Sequence, residues 1–171
     1  MKTETIEKIL NFLEEKEGKE KPRKWFKLIE KLKLIKEFEN HPDGTQYRYN
    51  GRLDLSYSKI TKLPDDLYVN GSLILIDCKQ LTELPIKLHV DGYLGLRGCK
   101  QLTKLPDNLY VRDYLSVRET NIEDIPNNLY VGGDFNVGDT PLADNYTDKE
   151  IYEMIKLRGG EVEVAGIIFR D

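Results

Sequence analysis

Hydrophobic residues recur along this chain in a sequence repeat of about 20 residues that changes little from copy to copy. The repeats begin at Gly51, Gly71, Gly92, Asp113 and, as a partial copy, Gly133, so their starts are spaced 20, 21, 21 and 20 residues apart. A fixed period of this length is typical of a solenoid, in which each coil buries its apolar face only against its neighbours. The sequence therefore predicts a repetitive solenoid that begins near Tyr47.

Within each repeat, the apolar residues predict first a strand and then a bend. Every second position from Leu67 to Leu75 is apolar or glycine, which is the period of a strand with one buried face. A short polar stretch, one apolar residue and a Leu-Pro or Ile-Pro pair follow. Because proline lacks a backbone N–H group, these prolines predict the turn at which each coil folds back. They are Pro64, Pro85, Pro106 and Pro126.

Two of the repeats contain the same motif, Leu73-x-Leu75-x-x-Cys78-x-x-Leu81-Thr-Glu-Leu84-Pro85 and Leu94-x-Leu96-x-x-Cys99-x-x-Leu102-Thr-Lys-Leu105-Pro106. This pattern resembles the leucine-rich repeats of the short bacterial and phage kind, over residues 45 to 171. The resemblance implies an α+β solenoid of about five coils with a binding face. It also implies that Cys78 and Cys99 bond the turning backbone, with Ser58 and Thr120 as candidates for that role in the shorter coils.

The chain divides into three segments, 1–36, 37–143 and 144–171. The first predicts two amphipathic helices, which form a cap or an appendage. The second begins with a predicted hairpin, with its turn at residues 41–44, and continues with the repeats. In the third, Thr147 and Glu150 predict a capping box, a helix that stops before Gly159, and then a closing strand or hairpin over residues 161–164 and 167–169. This segment is expected to cap the solenoid.

Charge changes the picture only at the N-terminal end. The chain carries a net charge of −4, but residues 16–36 contain nine Lys or Arg and three Glu. This basic segment is either the solvated face of a cap or a contact for nucleic acid or an acidic protein. The N-terminus has no signal-peptide pattern and no apolar run reaches the length of a membrane span, which favours the cytoplasm, or a host cytoplasm for a phage gene.

Candidate chemistry is sparse. The chain has two histidines, His41 in the predicted turn and His89 in a column that is otherwise tyrosine. A catalytic or zinc site built from His89 with Cys78 or Cys99 is disfavoured, because the coil separates them and no C-x-x-C pair is present. The cysteines are instead expected to stack as a buried ladder. The expectation is a protein with no catalytic residue, metal or cofactor, and therefore not an enzyme.

The outward columns contain the residue types that are enriched at binding hot spots, tyrosine and arginine, beside isoleucines that the alternation predicts to be exposed. The small residues Gly95 and Ser116 predict a shallow floor between an aromatic pair and a basic pair. For the Tyr68 column, packing and binding remain alternatives. The candidate partner-binding residues are Tyr93, Tyr114, Arg97, Arg118, Ile74, Ile76, Tyr68 and Tyr110.

These observations predict a protein–protein interaction module that binds through the strand face of the solenoid. The resemblance extends this to a phage-encoded inhibitor or adaptor acting on a bacterial host protein. The alternative is a nucleic-acid-associated protein that uses residues 16–36. The sequence names no partner and no oligomeric state.

Overall fold

The computed structural model describes residues 47–63, 65–162 and 168–169, which form a parallel β-solenoid. The strands of this part are β1 (Tyr47–Asn50), β2 (Leu53–Asp54), β3 (Leu67–Asn70), β4 (Leu73–Ile74), β5 (His89–Val90), β6 (Leu94–Gly95), β7 (Tyr110–Val111), β8 (Leu115–Ser116), β9 (Tyr130–Val131), β10 (Phe135–Asn136), β11 (Glu161–Val162) and β12 (Ile168–Phe169). Its helices are α1 (Pro141–Asn145) and α2 (Asp148–Leu157).

Each coil contributes one strand to each of two parallel sheets. The first sheet has the order β1-β3-β5-β7-β9-β11 and the second has the order β12-β10-β8-β6-β4-β2. Tyr47 pairs with Leu67 at the start of the first sheet. The predicted solenoid is therefore confirmed, and Tyr47 belongs to its first sheet. About four regular turns are seen: the first coil is 51–70, the second 71–91, the third 92–112 and the fourth 113–132.

The apolar alternation does not make one continuous strand, because the chain bends where each repeat begins, at a glycine in every repeat except the one that begins at Asp113. Gly71 has a φ of +142° and its N–H group donates to the Val69 carbonyl at 2.9 Å. A Cβ atom on Gly71 would lie 2.5 Å from the carbonyl oxygen of Gly51 in the preceding coil. Glycine is therefore required both for the backbone angle and for the close stacking of backbones. This bend is what separates the two sheets.

The inward residues of both sheets form one core that runs through the coils. Leu75, Leu96 and Val117 are completely buried, as are Cys78 and Cys99 at the following bend. The Cys78 thiol donates to the Leu55 carbonyl at 3.2 Å and the Cys99 thiol to the Leu75 carbonyl at 3.0 Å, in each case across to the preceding coil. The predicted buried cysteine ladder is confirmed.

The hydroxyl groups at the corresponding position of other coils make different contacts. Thr120 Oγ1 donates to the Val117 carbonyl of its own coil at 2.6 Å, and the Ser58 hydroxyl lies 3.5 Å from Cys78 Sγ.

Beyond the regular coils, the predicted C-terminal helix is confirmed as α2. Thr147 and Glu150 form the predicted capping box: the Glu150 N–H group donates to Thr147 Oγ1 at 3.3 Å and the Thr147 N–H group to Glu150 Oε2 at 2.8 Å. α1, with Thr140 as its N-cap, was not predicted from the sequence. β11 pairs with β9 and β12 with β10, so the last strands continue the two sheets in parallel and do not pair with each other.

The predicted N-terminal helices and residues 34–46 of the predicted hairpin lie outside the described residues. Among the described residues, neither helix has the length and hydropathy needed to cross a bilayer.

Candidate functional site

Two tyrosines on adjacent coils cover the outer surface of the second sheet. The rings of Tyr93 and Tyr114 stack with centroids 5.2 Å apart. The Tyr93 ring lies over Gly95, where an added Cβ atom would come within 2.6 Å of Tyr93 Cζ. Burial raises the pKa of Tyr93 and the neighbouring Tyr114 adds to this, against a hydrogen bond with Ser116. The shallow floor predicted at Gly95 and Ser116 is therefore wrong, because the Tyr93 ring already fills it.

Ile74 is also not where the alternation places it. Its side chain is only 4% exposed, although its position in β4 is an outward one. Ile74 pairs with Gly95 on β6, and the Tyr93 ring lies over that glycine. The ring therefore shields the outward side chain of Ile74 from solvent. The expectation that Ile74 presents exposed apolar surface is wrong. Ile76 is half-buried and remains accessible.

Arg97 and Arg118 do not present free positive charge, since each pairs with a carboxylate on the following coil. Arg97 Nη2 lies 2.7 Å from Glu119 Oε1, and Arg118 Nε lies 2.9 Å from Asp139 Oδ2. Arg118 Nε is also 3.7 Å from Glu119 Oε1. The result is a continuous ladder of alternating charge beside the two tyrosines, and its guanidinium planes are held in place by these contacts.

The Tyr68 column forms a second aromatic array, on the outer surface of the first sheet. The ring centroids of Tyr68 and His89 are 4.4 Å apart, those of His89 and Tyr110 4.0 Å, and those of Tyr110 and Tyr130 4.5 Å, with interplanar angles of 12° or less. The Arg48 guanidinium lies 4.6 Å from the centroid of the Tyr68 ring. The four stacked rings of Tyr68, His89, Tyr110 and Tyr130 are called the ring ladder below. Their flat faces are used against each other.

Asp91 ties the ring ladder together and was not singled out from the sequence. It accepts a hydrogen bond from the Tyr68 hydroxyl, and its Oδ1 lies 3.2 Å from His89 Nε2. Burial would raise the pKa of Asp91, but the hydrogen bonds from Tyr68 and His89 and the charge interactions with His89 and Arg112 outweigh it and lower that pKa. Burial and the hydrogen bond to Asp91 raise the pKa of Tyr68. The available signal was that aspartate replaces the asparagine of Asn50 and Asn70 in this column.

Two further columns hold their backbone in the left-handed region, and sequence reasoning missed both. They are Tyr57, Asp77, Glu119 and Asp139 at the first bend, with Gly98 in the same column, and Asp66, Lys87, Asn108 and Asn128 at the second. Asparagine and aspartate adopt this conformation more readily than other residues, so their recurrence at fixed positions was a usable signal. Tyr57, Lys87 and Glu119 depart from this preference, and Tyr57 is a bulky aromatic residue with φ +60° and 68% exposure.

The described residues contain no group of three or more His, Cys, Asp or Glu side chains that could hold a metal ion. His89 lies on the outer surface in the ring ladder, whereas Cys78 and Cys99 are buried in the core. The neighbouring Cys78 thiol and burial both raise the pKa of the Cys99 thiol. Comparison of the chain with protein-family models, with curated proteins and with solved structures finds no match.

Proposed function

We propose that this protein binds a protein partner through the outer surface of its second sheet, centred on Tyr93, Tyr114, Arg97 and Arg118, with Ile76 at the edge. The observation that carries the proposal is the stacked Tyr93–Tyr114 pair beside the paired arginines. Tyrosine and arginine dominate protein-binding hot spots, and here they are held rigid before any partner arrives.

The surface favours a flat partner over one that inserts a side chain. The Tyr93 ring fills the space over Gly95, and the guanidinium groups are already neutralised by Glu119 and Asp139. An acidic side chain of the partner would therefore have to compete with these carboxylates. A planar group, such as an aromatic ring or a peptide plane laid against Tyr114 and Arg97, makes contact without displacing an ion pair.

Tyr68 and Tyr110 are not included in the proposed surface. Both rings have neighbouring rings stacked against them within the ring ladder. Stacking of this kind stabilises neighbouring strands and leaves mainly ring edges for a partner. We assign the ring ladder to the stability of the first sheet.

The coil is best classed with the leucine-rich-repeat-like solenoids. The bonds from Cys78 and Cys99 to carbonyls of the preceding coil support this class, because the resemblance places a backbone-bonding residue at that position. The two short strands in each coil are a departure from it. The same resemblance supports a binding role, not a catalytic one, for an adaptor or inhibitor that meets a bacterial protein in the cytoplasm.

The proposal is tested by recovering partners from bacterial lysate with the tagged full-length protein and with Tyr114→Ala/Arg97→Ala. Tyr93 is left intact because its ring covers Gly95. Arg97 is chosen because its side chain, at 54% exposure, is more exposed than that of Arg118. Loss of hot-spot contacts of ~2 kcal/mol or more should remove the partner, while the melting temperature falls only slightly, because the Tyr114 stack and the Arg97 ion pair lie on the surface. The matched control is Lys62→Ala/Lys104→Ala, on the bend side of the coils.

A partner that survives Tyr114→Ala/Arg97→Ala but is lost with Lys62→Ala/Lys104→Ala would place the binding surface on the bend side and refute the proposal.

A further inference from the structure

Three lysines stack one above another at the bend that follows the second sheet. Lys59, Lys79 and Lys100 occupy the same position in the first three coils, each directly after Ser58, Cys78 and Cys99, and all three side chains are exposed. Neighbouring strands in a sheet lie about 4.8 Å apart, so the stack is a line of three positive charges about 10 Å long. In the described part of the chain, no ion pair involves any of the three.

Other charged columns of the solenoid contain ion pairs between neighbouring coils. Lys62 Nζ lies 3.5 Å from Glu83 Oε1, and Lys104 and Asp124 continue that column with alternating sign. Lys87 Nζ lies 3.3 Å from Asp66 Oδ1, and Arg97 and Arg118 pair with the following coil. Like charges directly opposite each other on neighbouring strands are destabilising. Arg97 and Arg118 are also like charges on neighbouring coils, but carboxylates of the following coil offset them. The described residues show no such ion pair for the lysine stack, so the stack lowers stability, which points to a role outside folding.

An exposed aromatic residue stands at the end of the same bend. Tyr57 precedes Lys59 by two residues, is 68% exposed, and keeps the left-handed backbone that asparagine or glycine would adopt with less strain. The exposed amide side chains of Gln80 and Gln101 follow Lys79 and Lys100 directly. Asp77 precedes Lys79 by two residues, and its Oδ1 lies over Gly98 on the neighbouring coil.

We propose that this bend is a binding track for single-stranded nucleic acid. The three ammonium groups contact successive phosphates, the Tyr57 ring stacks on a base, and the amides of Gln80 and Gln101 reach base edges. A row of cations with an adjacent exposed aromatic ring is the combination that binds single strands with little sequence preference. An acidic protein segment would use the lysines but has no need of the strained, exposed ring. This track is separate from the partner-binding surface proposed above.

The test measures fluorescence anisotropy of a labelled oligo(dT) of about 16 nucleotides with the full-length protein across a salt series. In Lys79→Gln/Lys100→Gln the dissociation constant should rise about tenfold or more at low salt, and the slope of log K against log salt should fall by about 1.4. The melting temperature should stay the same or rise, because a like-charge contact is removed. Tyr57→Asn should weaken binding about tenfold with an unchanged salt slope.

The matched control is Lys62→Gln/Lys104→Gln, which removes the same charge from the alternating column. It should bind oligo(dT) as the wild type does. The proposal is overturned if the wild type does not bind at low salt, or if both double variants bind equally. It is also overturned if a polyglutamate peptide binds as tightly as oligo(dT) and is weakened by Lys79→Gln/Lys100→Gln but not by Tyr57→Asn, since that result assigns the track to an acidic protein.

Discussion

Ile74 and Leu75 are neighbours in sequence with opposite orientations, yet the structure buries both, at 4% and 0% exposure. An aspartate at position 75 would be an unpaired charge in the core. Because Ile74 is almost as well covered, Ile74→Asp should also destabilise the protein, by about 2 kcal/mol or more, contrary to what alternation alone predicts. Urea unfolding of the purified variant measures this change.

Ile76→Asp supplies the control for that measurement. Ile76 is two residues further along the same outward row and is half-buried. It should change the free energy of unfolding by no more than about 0.5–1 kcal/mol. Equal losses from Ile74→Asp and Ile76→Asp would mean that the Tyr93 ring does not protect Ile74 in particular.

The burial of Ile74 also shows where sequence reasoning stops at the scale of a residue. Alternation gives the direction of each Cα–Cβ bond, and it placed Leu75, Leu96 and the cysteines correctly in the core. It does not give the path of a long side chain, so the Tyr93 ring lying along its own strand over Gly95 could not be foreseen. The ion pairs of Arg97 and Arg118 were missed for the same reason, because they reach across coils.

At the scale of an element, the ring ladder links the first sheet to pH through Asp91. The pKa of Asp91 is lowered in the folded protein, so its contribution to stability is present above its unfolded pKa of about 3.9 and is lost as the pH falls through the folded pKa. Asp91→Asn should therefore lower the free energy of unfolding by about 1–3 kcal/mol at pH 7. The difference in the free energy of unfolding between Asp91→Asn and the wild type should become smaller well below pH 4.

Urea unfolding over a series of pH values from neutral to well below pH 4 makes this comparison. Asp144→Asn, which alters an exposed carboxylate on α1, controls for the loss of one negative charge. A gap between Asp91→Asn and the wild type that stays constant over the whole acidic range would show that the bonds from Tyr68 and His89 do not depend on the charge of Asp91.

Elements with local signals were predicted, and elements set by distant contacts were not. α2 follows from the Thr147–Glu150 capping box and the spacing of Ile151 and Ile155, all within one stretch of chain. The division into two sheets depends on how closely Gly71 approaches Gly51 in the preceding coil, which local spacing does not reveal. The pairing of β11 and β12 with different sheets is likewise a property of the assembled solenoid.

At the scale of the whole molecule, the first coil stands at the end of the order of strands in both sheets. Among the described residues, β1 and β2 pair with a neighbouring strand on one side only. If residues 1–36 act as a cap, their deletion should expose this edge and cause aggregation, visible by size-exclusion chromatography and as a lowered melting temperature. Lys19→Gln/Lys21→Gln/Lys24→Gln, which removes charge but keeps the segment, should remain soluble and stable.

A truncated protein that stays monomeric and melts like the full chain would refute the capping role. If it also lost a salt-sensitive affinity for nucleic acid that the wild type possesses, residues 16–36 would be a contact arm.

The direction of the arginine contacts has a consequence for how this gene could change in length. Arg97 and Arg118 both reach forward, to Glu119 and Asp139 of the following coil. An in-frame duplication of the codons for the fourth coil would place a new Glu119 equivalent in front of Arg118 and a new Arg118 equivalent before Asp139. Duplicating the third coil would instead set Arg97 against a glycine, since Gly98 occupies the acceptor position there. Of these two duplications, the copy of the fourth coil keeps every arginine paired and the copy of the third does not, so a lengthened molecule should tolerate a repeated fourth coil better than a repeated third one.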